Sequence, residues 1–205
     1  MMGNMPQNHP NSAEAVTGEI APEPDSPDAQ HAAIDDRLHD EFIWHYPDEH
    51  SPNAIHFEMM IVASQWARYF DEALQADLKI LTDFVNGVVE LDGFTICCRF
   101  TNDDEIRILN REFRQKDKAT NVLSFPDGEE GRLGDLAFAF ETMKAEADEM
   151  DISVAAHLRH LLVHGLLHLA GFDHDDQEDA EEMEGLEISA LALIGVDNPY
   201  LGELA

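Results

Sequence analysis

Between Ser153 and Gly171 the chain carries a segment with helical periodicity that is apolar on nearly every side. Leucines cover most of its circumference, and Val163 and Leu167 fall on the side away from the main leucine face. A helix that is apolar all round is buried, so this segment must lie inside whatever fold the chain adopts. Successive residues of a helix are about 100° apart, which puts all four histidines on one narrow face: His157, His160, His164 and His168.

The histidine face predicts a metal site. One buried histidine is usually a hydrogen-bonded core residue, but four would each need a partner and resist being charged. His164 and His168 lie one turn apart, and Gly171 permits the turn after which His174 can return as a third ligand. This spacing matches that of metzincin ligands, and three imidazoles leave one coordination position open, as in catalytic zinc sites. We expect one Zn²⁺ per chain on His164, His168 and His174, with His157 and His160 as supporting or core residues.

The residue after His164 differs from the one that zincin peptidases have there. Zincins place their general-base glutamate there, whereas this chain has Gly165, which cannot accept a proton. The ligand pattern therefore supports hydrolysis without the usual peptidase mechanism. A phosphodiester is a better fit, because a metal ion polarises a phosphoryl oxygen while a nearby cation stabilises the growing negative charge.

The charge distribution indicates where that cation lies. The chain has 43 acidic and 12 basic residues, a formal charge of −31 that normally argues against nucleic-acid binding. Seven of the twelve bases nevertheless fall within residues 101–150. Five of them lie close together, and these are Arg107, Arg111, Arg114, Lys116 and Lys118. A solvated helix face is the alternative interpretation, but this run is the candidate basic patch.

Three ordered segments resemble the bacterial YbeY family of metal-dependent endoribonucleases. They are the stretch 109–126 with its Arg114, Lys116 and Lys118, then Leu133-Gly134-Asp135, then His164 to His174. The resemblance covers about residues 55–200. It implies RNA cleavage in 16S ribosomal RNA 3′-end maturation and ribosome quality control, with zinc on the three histidines and an active-site arginine at Arg114. The basic run itself predicts RNA contacts at Arg111, Lys116 and Lys118. The acidic remainder of the chain should repel a long duplex, so single-stranded RNA is the expected substrate.

Two other functions remain open at this stage. A metallohydrolase of another class, such as a peptidase, is favoured by the ligand spacing and disfavoured by Gly165. A non-catalytic ribosome-assembly factor is favoured by the acidic composition, which suits basic partners such as ribosomal proteins or assembly GTPases. The attacking oxygen, from water or from the RNA 2′-hydroxyl, also remains open.

The periodicity predicts an α+β fold, with a small mixed four-stranded sheet and about five helices. The strands are expected near 55–61, 94–100, 122–125 and 133–140, and one helix over about 65–86. Residues 51–205 are expected to form one domain. Residues 1–50 hold 11 acids and one base and are expected to be a disordered extension whose deletion leaves folding intact. Docking of the aromatic Phe42–Tyr46 on the domain or on a partner is the alternative.

The cellular compartment is predicted from the two cysteines and from the absence of a long apolar run. The only two cysteines, Cys97 and Cys98, are adjacent and cannot easily bridge, so a reducing cytoplasm is expected. No run of eighteen apolar residues occurs, so no membrane-spanning helix is expected.

Overall fold

Strands and helices alternate along most of the chain in the computed structural model, which describes residues 42–46, 55–91 and 93–201. The strands are β1 (Phe42–Tyr46), β2 (His56–Ile61), β3 (Thr95–Thr101), β4 (Val122–Pro126) and β5 (Arg132–Ala139). The α-helices are α1 (Glu72–Val88), α2 (Asp103–Arg114), α3 (Phe140–Glu149), α4 (Val154–Leu169) and α5 (Gln177–Leu193), and a 3₁₀ helix spans Ser64–Tyr69.

The strands form one mixed sheet in the order β1-β2-β3-β5-β4. β2, β3 and β5 are parallel neighbours, and the edge strands β1 and β4 run antiparallel to them. Side chains alternate between the two faces of a strand. One face of the sheet, with Phe57, Phe100 and Phe138, joins α1, α4 and α5 in the main core. On the other face, Ala137 and Ala139 pack with Ile106 of α2.

The α+β class and the mixed sheet are therefore confirmed, but the described residues form a sheet of five strands where four were predicted. β1 is the additional strand, and it pairs with β2 from Phe42↔Ile61 to Tyr46↔Phe57. The assignment of Phe42–Tyr46 to a disordered extension is wrong, and the docking alternative is correct. The other positions of the predicted extension lie outside the described residues.

The predicted helix over 65–86 is two elements. The 3₁₀ helix ends at Tyr69, and the Asp71 side chain accepts a hydrogen bond from Leu74 N at 2.9 Å to begin α1. Trp66 anchors the first element, because its indole N–H donates to the Thr101 carbonyl at 2.7 Å in the core. No helix in the described part of the chain combines the length and apolar content needed to cross a bilayer.

Candidate functional site

Helix α4 runs through the main core and ends in a turn that returns the chain toward the histidine face. Ser153 caps its start by accepting from Ala156 N. At its end, Gly171 has φ +97°, and the N–H groups of Gly171 and Phe172 donate to the His168 and Leu167 carbonyls. These two bonds form a Schellman motif. The reversal brings His174 beside the helix, with its ring centre 5.0 Å from that of His168.

The three predicted ligands come together. The ligand atoms of His164, His168 and His174 lie within 4.8 Å of one another, and this is the group among the described residues that could hold a metal ion. His164 and His168 are half-buried and His174 is exposed, so the cluster opens to solvent on the His174 side.

The hydrogen bonds behind the rings determine which nitrogen faces the cluster. His164 Nδ1 lies 2.8 Å from Glu187 Oε1, and His168 Nδ1 lies 3.0 Å from the Phe172 carbonyl. Both partners are acceptors, so each Nδ1 donates and each Nε2 keeps its lone pair. The two Nε2 atoms face each other at 3.1 Å. Two facing lone pairs repel unless a cation lies between them, so these residues fit a divalent metal ion bound by neutral imidazoles.

The surroundings also keep His168 neutral. Burial, and then the nearby His164, lower the pKa of His168 below its usual 6.5. A neutral imidazole is the form that binds a metal.

Glu187 is a buried carboxylate that the sequence reasoning missed. Only 1% of it is exposed, and it accepts hydrogen bonds from His160 Nε2 at 2.8 Å, from His164 and from the Tyr200 hydroxyl. Burial alone would raise its pKa, but the three hydrogen bonds lower it to about 2. A signal was present in the sequence, because Glu187 shares the buried face of α5 with Met183, Ala190 and Leu191.

His157 and His160 occupy the supporting positions expected of them. His160 bonds to Glu187, and His157 Nε2 lies 2.9 Å from Glu146 Oε2. The same Glu146 oxygen accepts from the Asn121 amide at 2.9 Å. This second set of bonds ties α4 to α3 and to the residue that precedes β4.

Gly165 has a packing explanation. A Cβ placed on it would lie 2.8 Å from Leu136 Cδ2 and 3.0 Å from Leu136 Cδ1, and Leu136 is itself 1% exposed. A glutamate at this position would therefore have to displace the buried Leu136 side chain. Glycine allows α4 to cross β5 closely, and it leaves the position of the peptidase base without a carboxylate.

Arg114 is fixed against β4. Its Nη2 donates to the Ser124 carbonyl at 2.7 Å, and its guanidinium lies 5.9 Å from the centre of the Phe125 ring. Ser124 pairs with Leu136 in the sheet, and Leu136 contacts Gly165 beside His164. β4 also packs directly on α4. Arg114 is thus bonded to β4, the strand that packs on the helix carrying His164 and His168.

The other predicted RNA contacts lie together at the end of α2 and in the loop after it. Arg111, Lys116 and Lys118 are all exposed. The buried Asn110 shapes the loop, because its side-chain amide donates to the Lys118 carbonyl at 2.8 Å and its backbone carbonyl accepts from Lys116 N. Arg107, the fifth base of the run, is instead paired with Asp117 at 2.8 Å.

The sequence is similar to proteins of one family. A family model described as Endoribonuclease YbeY matches residues 60–195. A protein of that name from Erythrobacter litoralis is 53% identical over 114 residues, which are 49% of this chain and 71% of the relative. Another from Sphingopyxis alaskensis is 44% identical over 151 residues, 67% of this chain and 89% of the relative. A solution structure from Thermotoga maritima is 27% identical, covers 60% of this chain and 81% of its own, and has a TM-score of 0.47.

Proposed function

The chain belongs to the YbeY endoribonuclease family, and on that premise we propose that it is a metal-dependent endoribonuclease specific for single-stranded RNA. Its substrate is ribosomal RNA, in the maturation of the 16S 3′ end and in ribosome quality control. The observation that carries this proposal is the histidine cluster with two facing Nε2 lone pairs and a glycine in place of the peptidase base.

One Zn²⁺ per chain is held by His164, His168 and His174. When bound, a divalent metal ion supplies Lewis acidity toward a phosphoryl oxygen and lowers the pKa of water. Glu187 and the Phe172 carbonyl orient two of the rings, and their hydrogen bonds keep each Nε2 directed at the shared centre.

Arg114 supplies the fixed positive charge. Cleavage develops negative charge on the non-bridging phosphate oxygens, and the planar guanidinium can donate two parallel hydrogen bonds to them. One of its nitrogens is already engaged with the Ser124 carbonyl. This bond holds the group in place before the substrate arrives, so little reorganisation is needed during the reaction.

Arg111, Lys116 and Lys118 bind the RNA backbone. They form a local basic patch on a chain with a net charge of −31, so the rest of the surface repels a long duplex. A short unpaired strand can follow the patch without approaching the acidic regions. The same acidic regions suit basic ribosomal proteins or assembly GTPases as additional partners.

The test is RNA cleavage by metal-loaded protein, with casein as the competing substrate and His168→Ala purified in parallel to reveal a contaminating nuclease. We expect cleavage of unpaired RNA, no casein hydrolysis, and loss of most activity in Arg114→Ala. Arg114→Lys should keep much of the RNA affinity and lose activity, because an ammonium cannot reproduce the planar fork. Full cleavage by Arg114→Ala would contradict the proposal.

The chemical ends of the products identify the attacking oxygen. A 2′,3′-cyclic phosphate means that the sugar hydroxyl attacked, and a 5′-phosphate with a 3′-hydroxyl means that water attacked. Either result is compatible with the roles given to Arg114 and the histidines.

A further inference from the structure

Helix α2 packs on the sheet through its first turns, but Phe113 in its last turn lies outside that core. Ile106, Leu109 and Phe113 follow one another at helical spacing on the inner side of the helix. Their burial decreases along that line: Ile106 is fully buried, Leu109 is half-buried, and Phe113 is 64% exposed. The inner face of α2 thus ends in an aromatic ring open to solvent.

Phe113 is held by a second aromatic residue that also contacts Arg114. The rings of Phe113 and Phe125 meet edge to face with centres 5.2 Å apart, and the Arg114 guanidinium lies 5.9 Å from the centre of the Phe125 ring. Phe125 therefore connects the exposed ring to the arginine placed in catalysis. Phe113 and Phe125 also line a mainly apolar cleft of about 530 Å³ between α2 and the sheet, which is roomy enough for one nucleobase.

The charge around this ring favours RNA as the occupant. Arg114 follows Phe113 directly and reaches the Phe125 ring, and Lys116 and Lys118 follow in the exposed loop after the helix. Arg111 lies about 200° around the helix from Phe113, and the carboxylates of Glu58 and Asp135 line the cleft itself. The phosphates are therefore expected on the side of Arg114 and the loop, with only a base at the ring. An exposed aromatic ring beside basic groups is the combination by which proteins bind single-stranded nucleic acid, with phosphates on the cations and bases stacked on the ring. A paired base inside a duplex presents no free face to such a ring.

We propose that Phe113 is a stacking subsite for an unpaired base of the RNA, next to the phosphate contacted by Arg114. The inference rests on the proposed ribonuclease function and adds a source of single-strand preference. Stacking recognises a base by its flat face, so the subsite tolerates different sequences and discriminates against paired structure.

The experiment measures binding of a 2′-O-methyl single-stranded oligonucleotide, verified to be intact afterwards, to the metal-loaded full chain over a range of salt concentrations. Phe113→Leu should weaken binding about tenfold with no change in the salt dependence, because no charge is removed. Lys116→Ala should flatten the salt dependence by about one unit of slope. Phe113→Trp should keep the affinity, and its added fluorescence should be quenched by the RNA.

The matched control is Ile108→Ala. Ile108 is also exposed, at 44%, and lies on the same helix, but it is not among the residues that line the cleft. Its replacement should leave the affinity unchanged. An oligonucleotide from which every base has been removed should bind wild type more weakly than the intact strand does, and it should bind wild type and Phe113→Leu equally well.

The subsite would be overturned if Phe113→Leu bound RNA as tightly as wild type, or if RNA did not quench the fluorescence of Phe113→Trp. It would also be overturned if Ile108→Ala lost as much RNA affinity as Phe113→Leu. A change in oligomeric state without a change in RNA affinity would also overturn it, because the ring would then belong to a contact between two copies. If wild type cleaves RNA and Arg114→Ala does not, while Phe113→Leu is normal, the subsite alone fails. If wild type neither binds nor cleaves RNA, the proposed function fails.

Discussion

Glu187 is the side chain that determines how His164 faces the candidate metal centre. It occupies a buried position on α5 and accepts hydrogen bonds from His164 and His160 on α4 and from Tyr200 near the end of the described chain. Such carboxylate partners fix the tautomer of a ligating histidine and increase its basicity. The geometry of the cluster therefore depends on a residue that does not contact the metal position.

Replacing Glu187 should weaken metal binding while keeping the fold. Glu187→Gln retains the shape of the side chain but loses its charge, so we expect zinc affinity to fall about 10- to 100-fold. Competition with a chromophoric chelator measures this affinity. Glu182→Gln, an exposed neighbour on the same helix, is the control. Equal affinity in both variants would mean that Glu187 does not orient His164.

The low pKa of Glu187 gives its contribution to stability a defined pH range. The pKa is about 2 in the folded chain against an ordinary 4.5, so the unfolded chain binds more protons between these values. The stabilisation, on the order of 3 kcal/mol, is therefore complete above about pH 4.5 and is lost as the pH falls toward 2. Urea unfolding of metal-free wild type and Glu187→Gln should show a smaller difference at pH 3.5 than at pH 7. An unchanged difference would contradict this assignment.

The close crossing of α4 and β5 requires a residue without a side chain at position 165. Alanine normally stabilises a helix by up to about 1 kcal/mol relative to glycine, but here the added methyl group would overlap the buried Leu136. Overpacking of a core costs about 1–3 kcal/mol, so Gly165→Ala should lower the melting temperature by a few degrees.

Gly185 on α5 is the matched control, because a Cβ there would meet nothing within 4 Å. Gly185→Ala should keep or raise the melting temperature by differential scanning calorimetry. If Gly165→Ala is as stable as Gly185→Ala, the crossing can relax and the packing explanation for the missing glutamate is wrong.

The elements that the sequence predicts best are those whose signals are local. The buried α4 was predicted from its leucine periodicity and from Ser153 and Gly171 at its ends, and the three histidines came together as their spacing required. The break at Asp71 was missed because a capping aspartate looks like any polar residue on a helix surface. Glu187 was missed because many acidic residues lie on α5, although its helical spacing with Met183, Ala190 and Leu191 places it on the apolar face of that helix.

At the scale of the whole molecule, the acidic sequence before β1 led to the wrong prediction that Phe42–Tyr46 are disordered. Its five residues, Phe42–Tyr46, have strong strand-forming character, but they follow an acidic stretch rich in residues typical of disorder. The strand is stabilised by pairing with β2, whose residues lie 11 to 19 positions further along the chain than their partners in β1. Tyr46 also packs against the main core. Pairing partners of this kind cannot be read from composition.

Two truncations should therefore behave differently. Residues 42–205 keep β1, so this chain should melt close to the full-length protein and bind the same amount of zinc. Residues 51–205 lack β1 and leave the edge of β2 unpaired, so this chain should melt roughly 5 °C or more lower or aggregate. Thermal unfolding of both truncations checks this. Equal melting temperatures would mean that β1 adds nothing to the stability of the fold.

We propose that the chain is a ribonuclease because one metal ion binds to His164, His168 and His174. The most direct measurement is cleavage of a single-stranded RNA by chelator-stripped full-length protein during titration with zinc, beside His168→Ala. We predict no cleavage by the stripped protein, a linear recovery that ends at one zinc per chain, and no recovery in His168→Ala. Full cleavage by the stripped protein, or equal recovery in His168→Ala, would contradict the claim.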